Sequence, residues 1–133
     1  MLENVISEGK GHRTARRTVQ VHPSLVVEVS FEEKTKMLGH EGVNIGTYTS
    51  SPKPDGSLGG IGKGVVMLTN GELVAWDGLG AGTIGANGKI RYVGCLTYST
   101  TSKELTHLNG VAGVFEFESD MEGATHSKVW QWK

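Results

Sequence analysis

Four turn signals punctuate this chain and constrain its fold more than any other feature. They are "PDG" at Pro54 to Gly56, "NG" at Asn70-Gly71, "NG" at Asn87-Gly88 and "EG" at Glu122-Gly123. Asn-Gly and Asp-Gly supply the positive φ angles that tight hairpin turns require. The segments they bound run to about 9 to 13 residues, the spacing of an all-β meander.

The segments alternate with period two, the mark of half-buried antiparallel strands. In "LVVEVSFEEKTKM", Leu25, Val27, Val29 and Phe31 share one face and Glu28, Ser30, Glu32 and Lys34 the other. In "KIRYVGCLTYSTT", Ile90, Tyr92, Leu96 and Tyr98 oppose Lys89, Arg91, Thr97 and Ser99. In "VAGVFEFESD", Val111, Phe115 and Phe117 oppose Glu116, Glu118 and Asp120. Further strands are expected over Arg13–Val21, His40–Ser50, Ser57–Thr69, Glu72–Thr83 and Thr125–Trp132. Only "TSKELTHLNG" reads as helical. Thr101 and Glu104 fit a capping box, Leu105 and Leu108 form an apolar edge, and Asn109-Gly110 can end the turn. With no linker or shift in composition, residues 1–133 read as one domain. The expected architecture is an antiparallel closed barrel of about eight strands, with one short helical turn near residues 102–109.

Glycine makes up 20 of the 133 residues, about twice its usual share. "GLGAGTIGANG" contains G-x-G-x-x-G at Gly80, Gly82 and Gly85, but a dinucleotide fingerprint must open a helix, and here a hairpin turn and a strand follow. "GSLGGIGKGVV" lacks the Ser or Thr that follows a P-loop lysine. What repeats is G-x-G-x-G, at Gly60, Gly62 and Gly64 and again at Gly78, Gly80 and Gly82. Residues two apart share a face, so each run leaves a bare stripe. Such a stripe suits sharply coiled strands, or a group packed close to the backbone.

The "GKIRYVGCLTYSTTS" strand, the glycine-striped pairs and the closing "GVFEFESDMEG…KVWQW" pair resemble small barrels of the allene oxide cyclase-like, lipocalin-like type. The resemblance covers most of the chain from about Ser24 onward and rests on pattern. It implies a cofactor-free, oligomeric barrel holding an apolar ligand, and it assigns no catalytic residue.

A net charge of −1 gives no electrostatic case for nucleic acid or an anionic membrane as partner. The local exception, "HRTARR" at His12–Arg17, reads as a solvated strand face or as a phosphate-binding edge. Cys95 stands alone, which suits a reducing cytoplasm. The N-terminus carries no apolar signal-peptide core, and no apolar run approaches membrane-spanning length. The histidines His12, His22, His40, His107 and His126 have no ligand spacing, so no metal site is expected.

The candidate ligand-binding residues are Tyr92, Tyr98, Phe115 and Phe117 on inward faces, joined by Tyr48 and Trp76. Asn44 lies on the "H-x-G-x-N-x-G-x-Y" face with His40 and Tyr48, whose orientation the sequence leaves open, as it does for residues 72–83. Glu33 continues the apolar face of Phe31 and would reach a barrel mouth. A buried carboxylate there could act as a general acid or base; a frayed strand end would expose it instead. Trp130 and Trp132 share a face with Lys128 and His126 at the C-terminus and suggest a homo-oligomer. Two functions remain open: a barrel that binds a small apolar molecule, including a cofactor-free cyclase or isomerase, or a filled barrel that works through assembly.

Overall fold

The computed structural model describes residues 2–133, except for the side chain of residue 3. Eight antiparallel strands close into one barrel in sequence order. They are β1 (Leu2–Gln20), β2 (Val26–Met37), β3 (His40–Pro52), β4 (Leu58–Leu68), β5 (Leu73–Ile84), β6 (Ile90–Thr100), β7 (Ala112–Ser119) and β8 (Ala124–Trp132). β1 pairs with β8 over Leu2 to His12 and with β2 over Ser7 to Gln20, which completes the circuit. β1 begins well before the expected Arg13, because Ser7 to His12 pair with β2 on one side and β8 on the other.

The hairpins use glycine in an unexpected way. At Asn70-Gly71 the Gly71 N–H donates to the Leu68 carbonyl at 2.9 Å, and only the glycine has positive φ, at 89°. That is the longer hairpin loop, a type I turn closed by a left-handed residue, rather than a two-residue turn with both angles positive. The turns at Gly56, Gly88 and Gly123 repeat the pattern. The β2–β3 hairpin carries positive φ at both Leu38 and Gly39, with a leucine where the sequence showed no turn signal.

The striped glycines face inward, where large side chains lie across them. A Cβ on Gly64 would fall 2.5 Å from the Trp76 ring. A Cβ on Gly82 would fall 2.6 Å from the ring of Tyr92, its cross-strand partner. At Gly60, Gly62 and Gly82 a side chain is the nearest neighbour, and at Gly64, Gly78 and Gly80 it is a carbonyl oxygen of the adjacent strand, so the stripes serve both ring packing and close strand approach.

Two packed layers fill the interior. One contains Met37, Leu68, Val74, Leu96 and Tyr98 and is capped by Leu105 and Leu108, which are 3% and 1% exposed. These leucines belong to the chain between β6 and β7, whose 3-10 turn spans Thr106–Gly110 and plugs that end. The helical segment is thus present but shorter than expected, and the capping box does not form. No side chain caps the turn at Leu105. Asn109 instead ties the segment to β6, accepting from the Thr100 N–H at 2.9 Å, and Glu104 pairs with His40 at 3.1 Å. The second layer contains Phe31, Tyr92 and Phe117 with Tyr48, Leu58 and Ile90, and lies toward the opposite end. Trp76 and Phe115 pack against both.

Among the described residues no helix is long and apolar enough to cross a membrane, and Cys95 is exposed on the outer wall.

Candidate functional site

Plugging one end leaves the other as the entrance. That mouth holds a cavity of about 350 Å³, whose floor and walls include Val27, Val29, Tyr48, Leu58, Ile90 and Tyr92. Tyr92 reaches across it to hydrogen-bond Ser50 of β3. Tyr48 and Tyr92 meet edge-on with centroids 5.5 Å apart, and Tyr48 meets Phe117 at 5.7 Å. Burial raises the pKa of both phenols; for Tyr48 the neighbouring Tyr92 adds to the effect, and Arg13 opposes it. Both are hydrogen-bonding groups on a largely apolar surface.

Beneath the mouth the interior is dense. The Phe31 and Phe117 rings meet at a 51° tilt with centroids 4.8 Å apart. A second cavity of about 60 Å³ sits among Phe31, Trp76, Phe115 and the inner glycines, with room for little more than a methyl-sized group. A third, about 50 Å³, lies deeper beside Asn44, Tyr98 and Ser127. A larger groove of about 590 Å³ runs along the outer wall among Lys10, Lys34, Lys36, Glu8 and Glu41, where charges of both signs are interspersed.

The expected site residues divide across these levels. Tyr48 and Tyr92 line the mouth. Trp76, Phe115 and Phe117 belong to the central packing. Asn44 faces inward, and its Oδ1 accepts a 2.8 Å hydrogen bond from the Trp76 indole N–H, which orients the indole. Tyr98 lies in the plugged half, its buried hydroxyl beside Ser7 but without a hydrogen-bond partner among the described residues. His40, which shares the pattern of Asn44, ends at the closed rim with Glu104.

Glu33 does point inward, but it sits two residues below Phe31 toward the plugged end rather than at the mouth. It is 1% exposed. Thr125 donates to one carboxyl oxygen at 2.9 Å and Ser127 to the other at 2.5 Å. Burial raises its pKa, and the two hydroxyls oppose the rise. Both oxygens are occupied by β8, so the carboxyl belongs to a polar seam joining β2 to β8.

At the C-terminus both tryptophans lie on the outer wall. Trp130 is half-buried with the Lys128 ammonium 5.3 Å from its ring centre, and Trp132 is 57% exposed. Among the described residues no three metal-ligating side chains gather.

Arg13 and Arg16, from the basic cluster that the sequence left open between a solvated strand face and a phosphate-binding edge, also line the cavity. Strict alternation would put residues three apart on opposite faces. A register shift between Arg13 and Ala15 breaks the alternation, so Arg13 pairs with Phe31 and Arg16 with Val29, both inward positions.

No protein-family model and no curated protein matches this chain. Solved structures do. A β-barrel like protein from Acinetobacter baumannii superposes with a TM-score of 0.83 at 11% identity, over 100% of this chain and 96% of that one. A protein of unknown function from Clostridium acetobutylicum gives 0.82 at 12% identity, over 98% of both chains. An enzyme from Penicillium herquei gives 0.66 at 10% identity, over 96% of this chain and 92% of that one. At such identities the likeness establishes a shared small-barrel plan and nothing finer.

Proposed function

We propose that the barrel binds a small molecule with an apolar body in its open mouth. The observation that carries this reading is the asymmetry of the two ends: one closed by Leu105 and Leu108, the other an aromatic cavity of about 350 Å³. That volume falls at the lower end of the range of small-molecule sites, and an apolar wall with a few hydroxyls is their usual lining. The allene oxide cyclase-like pattern in the sequence and the enzyme from Penicillium herquei on a similar plan are compatible with catalysis by this chain. The placement of Glu33 favours binding over catalysis, because its oxygens are held by Thr125 and Ser127 below the packed floor.

Ligand-observed NMR against a library of ring-sized apolar compounds tests the reading. Wild-type protein is expected to give hits that Leu58→Trp, which fills the mouth, abolishes while the barrel stays folded. Hits that survive Leu58→Trp would place binding elsewhere and sink the proposal.

Assembly into a homo-oligomer is a second reading, favoured by the outer wall. Ile61 and Leu79 are cross-strand partners there, 70% and 61% exposed, with Val93 close by on β6. Apolar side chains this open, side by side, suit contact with a second copy of the chain. Leu79→Glu is expected to lower the mass of the particle in solution, and a mass equal to one chain in the wild type would remove this reading.

A further inference from the structure

The mouth carries a charge pattern that an apolar ligand alone does not require. Arg13 and Arg16 bring two guanidinium groups to its lining, and no Asp or Glu lines the cavity. Among the described residues neither arginine has a carboxylate partner. Arg17, by contrast, faces outward and pairs with Glu28 at 3.4 Å. The Arg13 guanidinium is half-buried over Gly123, where a Cβ would meet its Nη2 at 3.2 Å, so it is packed in place rather than waving in solvent. Its field reaches the Tyr48 phenol, and the hydroxyls of Ser50 and Tyr92 close the opposite side. The bulge between Arg13 and Ala15 brings both residues, Arg13 half-buried and Arg16 exposed, into the lining of one cavity, and bulges commonly re-aim side chains beside functional sites.

We propose that the mouth recognises a compact anion: a ring-sized apolar body bearing one carboxylate or comparable acidic group, held by Arg13 and Arg16. This rests on the mouth being the binding site. Guanidinium forks suit an oxyanion by charge and by paired N–H geometry. The shallow floor sets the size. The tilted Phe31 and Phe117 rings pack 4.8 Å apart beneath the cavity, and the next space down is about 60 Å³, so a long acyl chain finds no room.

Isothermal titration calorimetry with matched probes tests this directly: 2-naphthoate against its neutral isostere 2-naphthamide, with palmitate as the long-chain comparison. Wild-type protein is expected to bind 2-naphthoate about tenfold or more tighter than 2-naphthamide, as charge-assisted pairing allows. Arg13→Gln/Arg16→Gln should erase that preference, bringing acid and amide to equal affinity, whereas Arg17→Gln, at the outward-facing residue paired with Glu28, should leave the preference intact. Equal binding of acid and amide to the wild type overturns the anion site yet leaves the mouth as a binding site. Palmitate binding tightest overturns the size argument. Loss of every probe from the wild type overturns both the inference and the binding function beneath it.

Discussion

Replacing Gly82 by alanine tests the packing that shapes the mouth. The added Cβ would lie 2.6, 2.9 and 3.0 Å from three ring carbons of Tyr92, with no backbone atom among its three nearest neighbours. Two effects compete. Restricting the unfolded chain stabilises a Gly→Ala variant by about 0.4–1 kcal/mol where the native angles allow it, and Gly82 has no positive φ to forbid it. Overpacking a filled interior costs about 1–3 kcal/mol, and the ring has Ser50 on one side and Tyr48 on the other, so it yields little. The clash wins, and the net loss should be about 1–2 kcal/mol, or roughly 3–8 °C in melting temperature for a domain of this size. Gly110→Ala is the control, since nothing lies within 4 Å of its added Cβ; it should be neutral or slightly stabilising. Tyr92→Leu shortens the offending side chain, so the double variant Gly82→Ala/Tyr92→Leu should be more stable than the sum of the single changes implies, by about 0.5–3 kcal/mol. Thermal and urea melts of the five proteins give the cycle. Additive losses, or a Gly82→Ala as benign as Gly110→Ala, would refute the claim that Gly82 makes room for the Tyr92 ring.

Other outcomes follow from the same contacts. Glu33 keeps its proton to higher pH in the folded state than in the unfolded chain, because burial disfavours the charge. Folding therefore takes up protons in the window above the ordinary carboxylate value, and stability falls as pH rises through it. Glu33→Gln should flatten that part of the stability–pH curve, and an unchanged slope in urea melts would contradict the assignment. Leu108→Ala removes a 1% exposed side chain from the plugged end and should cost about 2–5 kcal/mol; a smaller loss would mean the 3-10 turn does not seal the core. Asn44→Leu strips the Trp76 indole of its acceptor and should cost about 1–3 kcal/mol, measurable by denaturation alongside a shift in tryptophan emission.

Much of this barrel was legible in the chain, because its signals are local. Asn70-Gly71 and Asn87-Gly88 marked hairpins, and Phe31, Tyr92, Leu96 and Phe117 fell on one face by period alone. The missed features depend on partners distant in sequence. The start of β1 reads as polar, yet it is held as a strand because β2 and β8 flank it from both sides. The inward aim of Arg16 comes from a bulge that only the pairing with β2 reveals. Asn44, a candidate ligand contact by its pattern, accepts from an indole on β5, 32 residues away, a partner that no local signal announces. Glu33 announced itself as a carboxylate on an apolar face, but its Thr125 and Ser127 partners lie more than 90 residues on.

Native mass spectrometry of freshly purified protein beside Leu58→Trp tests the ligand-binding mouth most directly. A discrete adduct is expected on the wild type that leaves on unfolding, gives an acidic small molecule on analysis, and is missing from the filled-mouth variant. An adduct equally abundant on both proteins would place the ligand outside the mouth and contradict it.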